Sequence, residues 1–122
     1  MDVLAIILEA LLGLIFLMAG ATKIFGVKMQ VDSFKSLRLP QWFRVVTGLV
    51  QYVGVAGIII GFWEPSWAAW AGIWLGFTML CAVAAHIRVR HTFAMTFPAV
   101  ILMLLAIVIA LMHSSELVNF PG

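Results

Sequence analysis

"VTGLVQYVGVAGIII", residues 46–60, is apolar except for Thr47, Gln51 and Tyr52. With its flanks it reaches from about residue 44 to 63, close to the ~20 residues a helix needs to cross a hydrocarbon core of ~30 Å. Three further runs have the same length and character, at about 3–23, 67–87 and 95–113. In lipid a helix satisfies its own backbone, so four such runs predict four spanning helices. The composition agrees. Of 122 residues, 65% are hydrophobic and 10% charged, and the mean hydropathy is +1.17. A soluble domain of this size shows water far more polar surface.

The charges are segregated. Lys23, Lys28, Lys35, Arg38 and Arg44 flank or occupy the first connection, and Arg88 and Arg90 sit in the third. The second connection, "GFWEPSW", holds Glu64 and no base; Asp2 and Glu116 mark the two ends of the chain. The positive-inside rule then places connections one and three in the cytoplasm and both termini outside, a multi-pass cell-membrane protein. This use of the bases accounts for a pI near 9.1 without nucleic acid as a partner. Trp63, Trp67 and Trp70 form an aromatic belt at the outer surface, and Trp42 and Phe43 do so near the inner one. "AGA" at 19–21 imitates a signal-peptide cleavage site, but the start "MDV" lacks a basic region and the apolar run is a full span.

In the first connection, Val27, Val31, Phe34 and Leu37 fall roughly on one helical face, with Lys28, Asp32 and Lys35 elsewhere. That pattern predicts a short amphipathic helix on the inner leaflet. The expected fold is therefore all-α: a four-transmembrane-helix bundle with a short amphipathic interfacial helix between helices one and two, in a single membrane domain over residues 1–122.

The polar minority inside the spans carries the functional reading. Helix one repeats Glu9, Gly13, Phe16, Gly20 and Lys23 on one face; helix two does so with Thr47, Gln51, Gly54, Gly57 or Ile58, and Gly61; helix three with Thr78, Ala82 and His86. Small residues let neighbouring helices approach, so these three faces are expected to meet, with bulky side chains turned to lipid. Gln51 lies roughly 10 Å from the inner boundary, where an amide needs partners. Glu9 is similarly deep from the outer side, where an ionised carboxylate is costly. Lys23 and His86 close their helices at the inner end and are expected near one another. Lys23, Gln51, His86, Glu9 and Thr47 are the candidate ligand-binding residues. Each has a plainer role open to it: Gln51 as interhelical glue, Lys23 as a topology anchor, His86 as an interfacial cap. Cys81 reads as a small buried apolar residue, and His91 and His113 as solvated ends. No catalytic constellation, metal-ligand spacing, nucleotide motif or cofactor motif is evident.

"GLIFLMAGATKIFG", "LRLPQWFRVVTGLVQYVGVAGIIIG" and "AAHIRVR" together resemble the DoxX-like family of small four-helix membrane proteins, over roughly residues 9–112. The marks are an F-L-x-x-G-x-x-K run ending in Lys23, L-P before helix two, G-x-x-[E/Q] from Gly48 to Gln51, and A-x-x-x-H-x-R through Ala82, His86 and Arg88. This chain has Gln51 where the family usually has glutamate, and Glu9 where it often has arginine. The resemblance implies a link to quinone and thiol chemistry: thiosulfate:quinone oxidoreduction, resistance to quinones and catechols, and complexes handling oxidative stress. Three readings follow. One is a binding protein for a quinone-like lipophile, or an oxidoreductase-associated membrane subunit of a redox or detoxification system, with a partner oxidoreductase or a homo-oligomer. Its pocket would lie between helices one to three, open toward the inner leaflet. The others are a non-enzymatic assembly factor and a small-molecule exporter.

The orientation is testable by cysteine labelling in intact cells. An impermeant reagent should modify Pro65→Cys and spare Asp32→Cys; the reverse pattern inverts the topology.

Overall fold

A computed structural model describes residues 3–90 and 93–120. His91, expected at a solvated end, lies outside them. The described residues form α1 (Val3–Ile24), α2 (Lys28–Ser36), α3 (Gln41–Gly61), α4 (Pro65–Arg88), α5 (Phe93–Met112) and a 3₁₀ segment (Ser114–Asn119). Among them, α1, α3, α4 and residues 95–112 of α5 are each long and apolar enough to cross a bilayer. The chain is an all-helical, multi-pass membrane protein. Two spans begin earlier than the hydropathy suggested, for a local reason. Pro40 stands in extended conformation just before α3, and Pro65 occupies the first turn of α4, where a missing N–H costs nothing and φ is already set.

The helices form a ring in the order α1, α3, α4, α5. The α4–α5 seam is the most extensive, followed by α1–α3 and α3–α4; α1–α5 closes the ring along the sparsest seam. The expected meeting of the first three spans is thus corrected in one respect. α1 and α4 stand diagonally across the bundle, and α5 completes the circuit between them.

In hydrocarbon, association gains little from burying apolar surface, so close packing decides which faces meet. The buried face of α1 is Ala5, Glu9, Leu12, Gly13, Phe16 and Gly20, and that of α3 includes Gly48, Gln51, Gly54, Gly57, Ile58 and Gly61. These are essentially the expected faces. Gly20 and Gly48 face each other reciprocally: a Cβ on Gly48 would lie 2.9 Å from the Gly20 carbonyl oxygen, and one on Gly20 would lie 3.3 Å from that of Gly48. On the far side of α3, Gly61 abuts the Ala68 backbone and Gly57 abuts Ala71. On α4, Gly72 lies against the Ala106 carbonyl and the Ala110 backbone of α5. Leu12, Phe16, Ile58, Leu75, Ala106 and Ile109 fill the centre. The expected α4 stripe of Thr78, Ala82 and His86 is not the buried one. Ser66, Ala68, Ala69, Ala71, Gly72, Leu75, Gly76 and Met79 are buried instead, and Thr78 satisfies its hydroxyl on the Trp74 carbonyl of its own helix. Cys81, expected buried, is exposed on the bundle surface.

The basic end is fastened through backbone carbonyls. The Arg44 guanidinium donates to the Lys23 carbonyl and to Gln41 Oε1 at 3.0 Å. Arg88 donates to the Leu37 carbonyl, so α4 is tied to the end of α2. α2 is amphipathic as expected, burying Phe34 and Leu37 and exposing Lys28, Asp32 and Lys35, although Val27 at its start is exposed. α1 ends at Gly26, whose φ of 71° allows Val27 N–H to reach back to the Thr22 carbonyl at 3.1 Å, a glycine-terminated helix stop. α2 stops the same way, Leu39 N–H reaching the Phe34 carbonyl at 3.0 Å, but the turning residue is Arg38 at φ 60°; Arg90 also adopts φ 60° after α4.

The seams make a prediction. A methyl at Gly61 or Gly72 meets neighbouring backbone within 2.8 Å, whereas one at Gly76 finds its nearest neighbour at 3.5 Å. Gly61→Ala and Gly72→Ala should each cost ~1–3 kcal/mol, and Gly76→Ala should leave unfolding in detergent essentially unchanged.

Candidate ligand site

The structure separates the five candidate residues into groups. α1 and α3 run antiparallel, with Gly13 against Ile58 and Gly20 between Gly48 and Tyr52. In that register Gln51 lies level with Gly20, and Glu9 lies level with the end of α3 near Gly61. The two are separated by about 15 Å along the bundle. Gln51 and Lys23 belong to the basic half, and Glu9 belongs to the opposite, acidic end.

Gln51 points into the bundle and is 1% exposed. Its Oε1 is buried without a hydrogen-bond donor. The expectation that it faces the interior holds; a protein partner for its carbonyl oxygen is not among the described residues. Close by, the Trp74 indole donates to the Val50 carbonyl at 2.9 Å, pinning α4 to α3 one residue from Gln51. Tyr52 lies against Gly20, and the Lys23 Cβ lies beside Gly48, so the α1–α3 seam carries a phenol and the base of a lysine side chain near the level of Gln51. Thr47 is half-buried and donates to the Phe43 carbonyl of its own helix at 2.8 Å. His86 is half-buried near the basic end of α4. Because α4 is diagonal to α1, His86 and Lys23 reach that end from helices that are not neighbours.

Glu9 meets a partner that was not expected. It is fully buried, and its Oε1 pairs with His113 Nε2. His113, read from the sequence as a solvated end, is 8% exposed. It follows α5, and the 3₁₀ segment folds back over α4: Trp70 Nε1 donates to the Leu117 carbonyl at 3.0 Å, and Trp67 packs on Phe120 with ring centroids 4.9 Å apart. A signal for the pair was present in the sequence. All seven Lys and Arg lie at one end, so a buried acid at the other end has one described basic side chain at its level, and that is His113. Two further polar atoms are buried without partners, Glu9 Oε2 and Ser66 Oγ in the first turn of α4.

Two apolar grooves open on the bundle surface. One, about 190 Å³, lies between α3 and α4 over Gly54 and Gly57 and is walled by Trp67, Trp70, Trp74 and Phe120. The other, about 590 Å³, follows the α4–α5 seam over Gly72 and Gly76. None of the five candidate residues lines either groove. Among the described residues no cluster of His, Cys, Asp or Glu has the makings of a metal site.

The model of the DoxX-like family matches residues 7–108. The chain belongs to the DoxX-like family. It is also similar to the uncharacterized protein YdgD of Bacillus subtilis (strain 168), 29% identical over 107 residues that cover 87% of this chain and 94% of that protein. No solved structure matches the chain. The family match ends before His113, so it includes the acid of the buried pair and not the base.

Ser66 offers a simple check. Its hydroxyl is 1% exposed and unpartnered, so Ser66→Ala should raise stability by about 1 kcal/mol; destabilisation in thermal unfolding would reveal a partner for Oγ.

Proposed function

We infer that this protein binds a quinone-like lipophilic small molecule in the membrane, as a binding protein or as the membrane subunit of a redox or detoxification system. The observation that carries the reading is the Gln51 carbonyl oxygen, buried in the bundle with no donor. Leaving such a group unpaired costs ~1–3 kcal/mol, which a ligand hydroxyl returns. A carboxamide suits this task because it carries an acceptor and two donors on one planar group. Its oxygen accepts from the hydroxyl of a quinol, and after rotation its NH₂ donates to the carbonyl of a quinone. Lys23 and Tyr52, in the same seam, supply further donors, and His86 stands near the basic end as a proton carrier. The aliphatic core around Phe16 provides the walls such a ring requires.

The disposition of the glycines supports binding over a role in assembly. Gly20, Gly48, Gly54, Gly57 and Gly61 are spent on contacts between this chain's own helices, where an assembly factor would turn such faces toward a partner. Both termini outside and the basic end in the cytoplasm is the orientation that the charge distribution supports. It places Gln51 in the half of the bilayer facing the cytoplasm.

The test combines composition and stability. Organic extraction of the purified protein followed by mass spectrometry should recover a quinone or related phenol from wild type and not from Gln51→Leu. Because leucine also removes a carbonyl oxygen that has no donor within the protein, that variant should still fold and purify at near-normal yield, so loss of the molecule reports binding and not misfolding. A wild type that carries no such molecule, or a leucine variant that retains it, would refute the reading.

A further inference from the structure

At the acidic end the bundle encloses two ionisable side chains with no aqueous reason to be there. Glu9 is 0% exposed and His113 8%. They come from α1 and from the residue just beyond α5, and their contact through Oε1 and Nε2 crosses the sparsest seam of the ring. The His113 backbone is held on both sides, its N–H on the Ile109 carbonyl at 3.3 Å and its carbonyl by Glu116 N–H at 2.9 Å. The ring therefore has a fixed station. Glu9 Oε2 is buried and unpartnered, as is the Ser66 hydroxyl in the first turn of α4.

We propose that Glu9 and His113 form a proton-binding site at this end of the bundle, and that the one proton it holds fastens α1 to α5. The argument is charge balance in a medium of low dielectric, where an unbalanced charge is costly. With no extra proton the pair is carboxylate plus neutral imidazole, net −1. With one it is neutral, whether written as imidazolium carboxylate or as carboxylic acid and imidazole. With two it is net +1. Only the singly protonated pair suits its surroundings, and the proton belongs to both groups.

Among the described residues, other charges do not compensate. α1 carries no further described ionisable group until Lys23, at the far end, and α5 carries none. On α3 the nearest is Tyr52, level with Gly20. Glu64, exposed before α4, and Glu116, which accepts from Asn119 at 3.0 Å, are both acids. The site stands apart from Gln51 and its ligand, and its test needs no ligand.

The experiment is thermal unfolding against pH in detergent for wild type, Glu9→Gln, His113→Gln and the double variant, each profile taken relative to the double. Wild type should show a bell: stability is lost as pH rises and strips the shared proton, and is lost again as pH falls and adds a second. Glu9→Gln leaves a lone imidazole, neutral when unprotonated, so it should lose stability only as pH falls. His113→Gln leaves a lone carboxyl, neutral when protonated, so it should lose stability only as pH rises. Limbs of several degrees in melting temperature are expected. A wild-type profile parallel to the double variant, or two single variants losing stability on the same side, would overturn the proposal. If a single variant fails to fold, ring-nitrogen NMR of the wild type decides. One of the three imidazoles should titrate in two coupled steps; three independent single-step curves would overturn the site.

Discussion

Hydrocarbon supplies neither hydrogen bonds nor a hydrophobic drive between helices, and the rest of this structure follows from that double lack. Helices must adhere by contact, so the chain brings backbone to backbone where side chains are absent. The reciprocal Gly20–Gly48 approach and the Gly61–Ala68 and Gly72–Ala106 contacts are the result. Every polar group inside must also find a partner within the molecule. Thr47 and Thr78 solve this by bonding their own helices, and Trp74 by capturing a carbonyl of α3. Gln51, Ser66 and the second oxygen of Glu9 do not. Against a background of near-complete satisfaction, those atoms mark the places where chemistry beyond packing is to be sought.

The same constraint explains the two unlike ends. At the basic end, Arg44 and Arg88 reach helix-terminal and loop carbonyls, so the charges that hold this end out of lipid also finish the backbone hydrogen bonding there. The acidic end has no lysine or arginine to do this. It is closed by Phe120, just beyond the 3₁₀ segment, packing on Trp67 and Trp70 of α4, and by a buried acid with a histidine.

Much of this was legible in the sequence because spacing carries it. The faces of α1 and α3 follow from glycines recurring every three or four residues, and the amphipathic α2 from the position of Phe34 and Leu37. Spacing fails where several faces of a helix are equally small. α4 offers Ala68, Ala69, Ala71 and Gly72 nearly all round, so its Thr78–Ala82–His86 stripe looked like a seam and is not one. Cys81 was misplaced with it. The order of helices around the ring is not a periodic property of any one helix, which is why the role of α5 was missed. The Glu9–His113 pair joins residues 104 apart in the chain; only the global sorting of charge pointed to it.

The two arginines at φ 60° have a consequence for how the chain can vary. A left-handed residue with a side chain is strained by roughly 1–2 kcal/mol relative to glycine, and α1 shows the relaxed solution at Gly26. At Arg38 and Arg90 the residue that turns the chain is also one of the seven bases gathered at one end of the bundle. Relieving the bend with glycine would remove a charge from that end, and keeping the charge preserves the bend's cost. Charge sorting and chain reversal thus fall on the same two residues, and neither can be tuned there without disturbing the other.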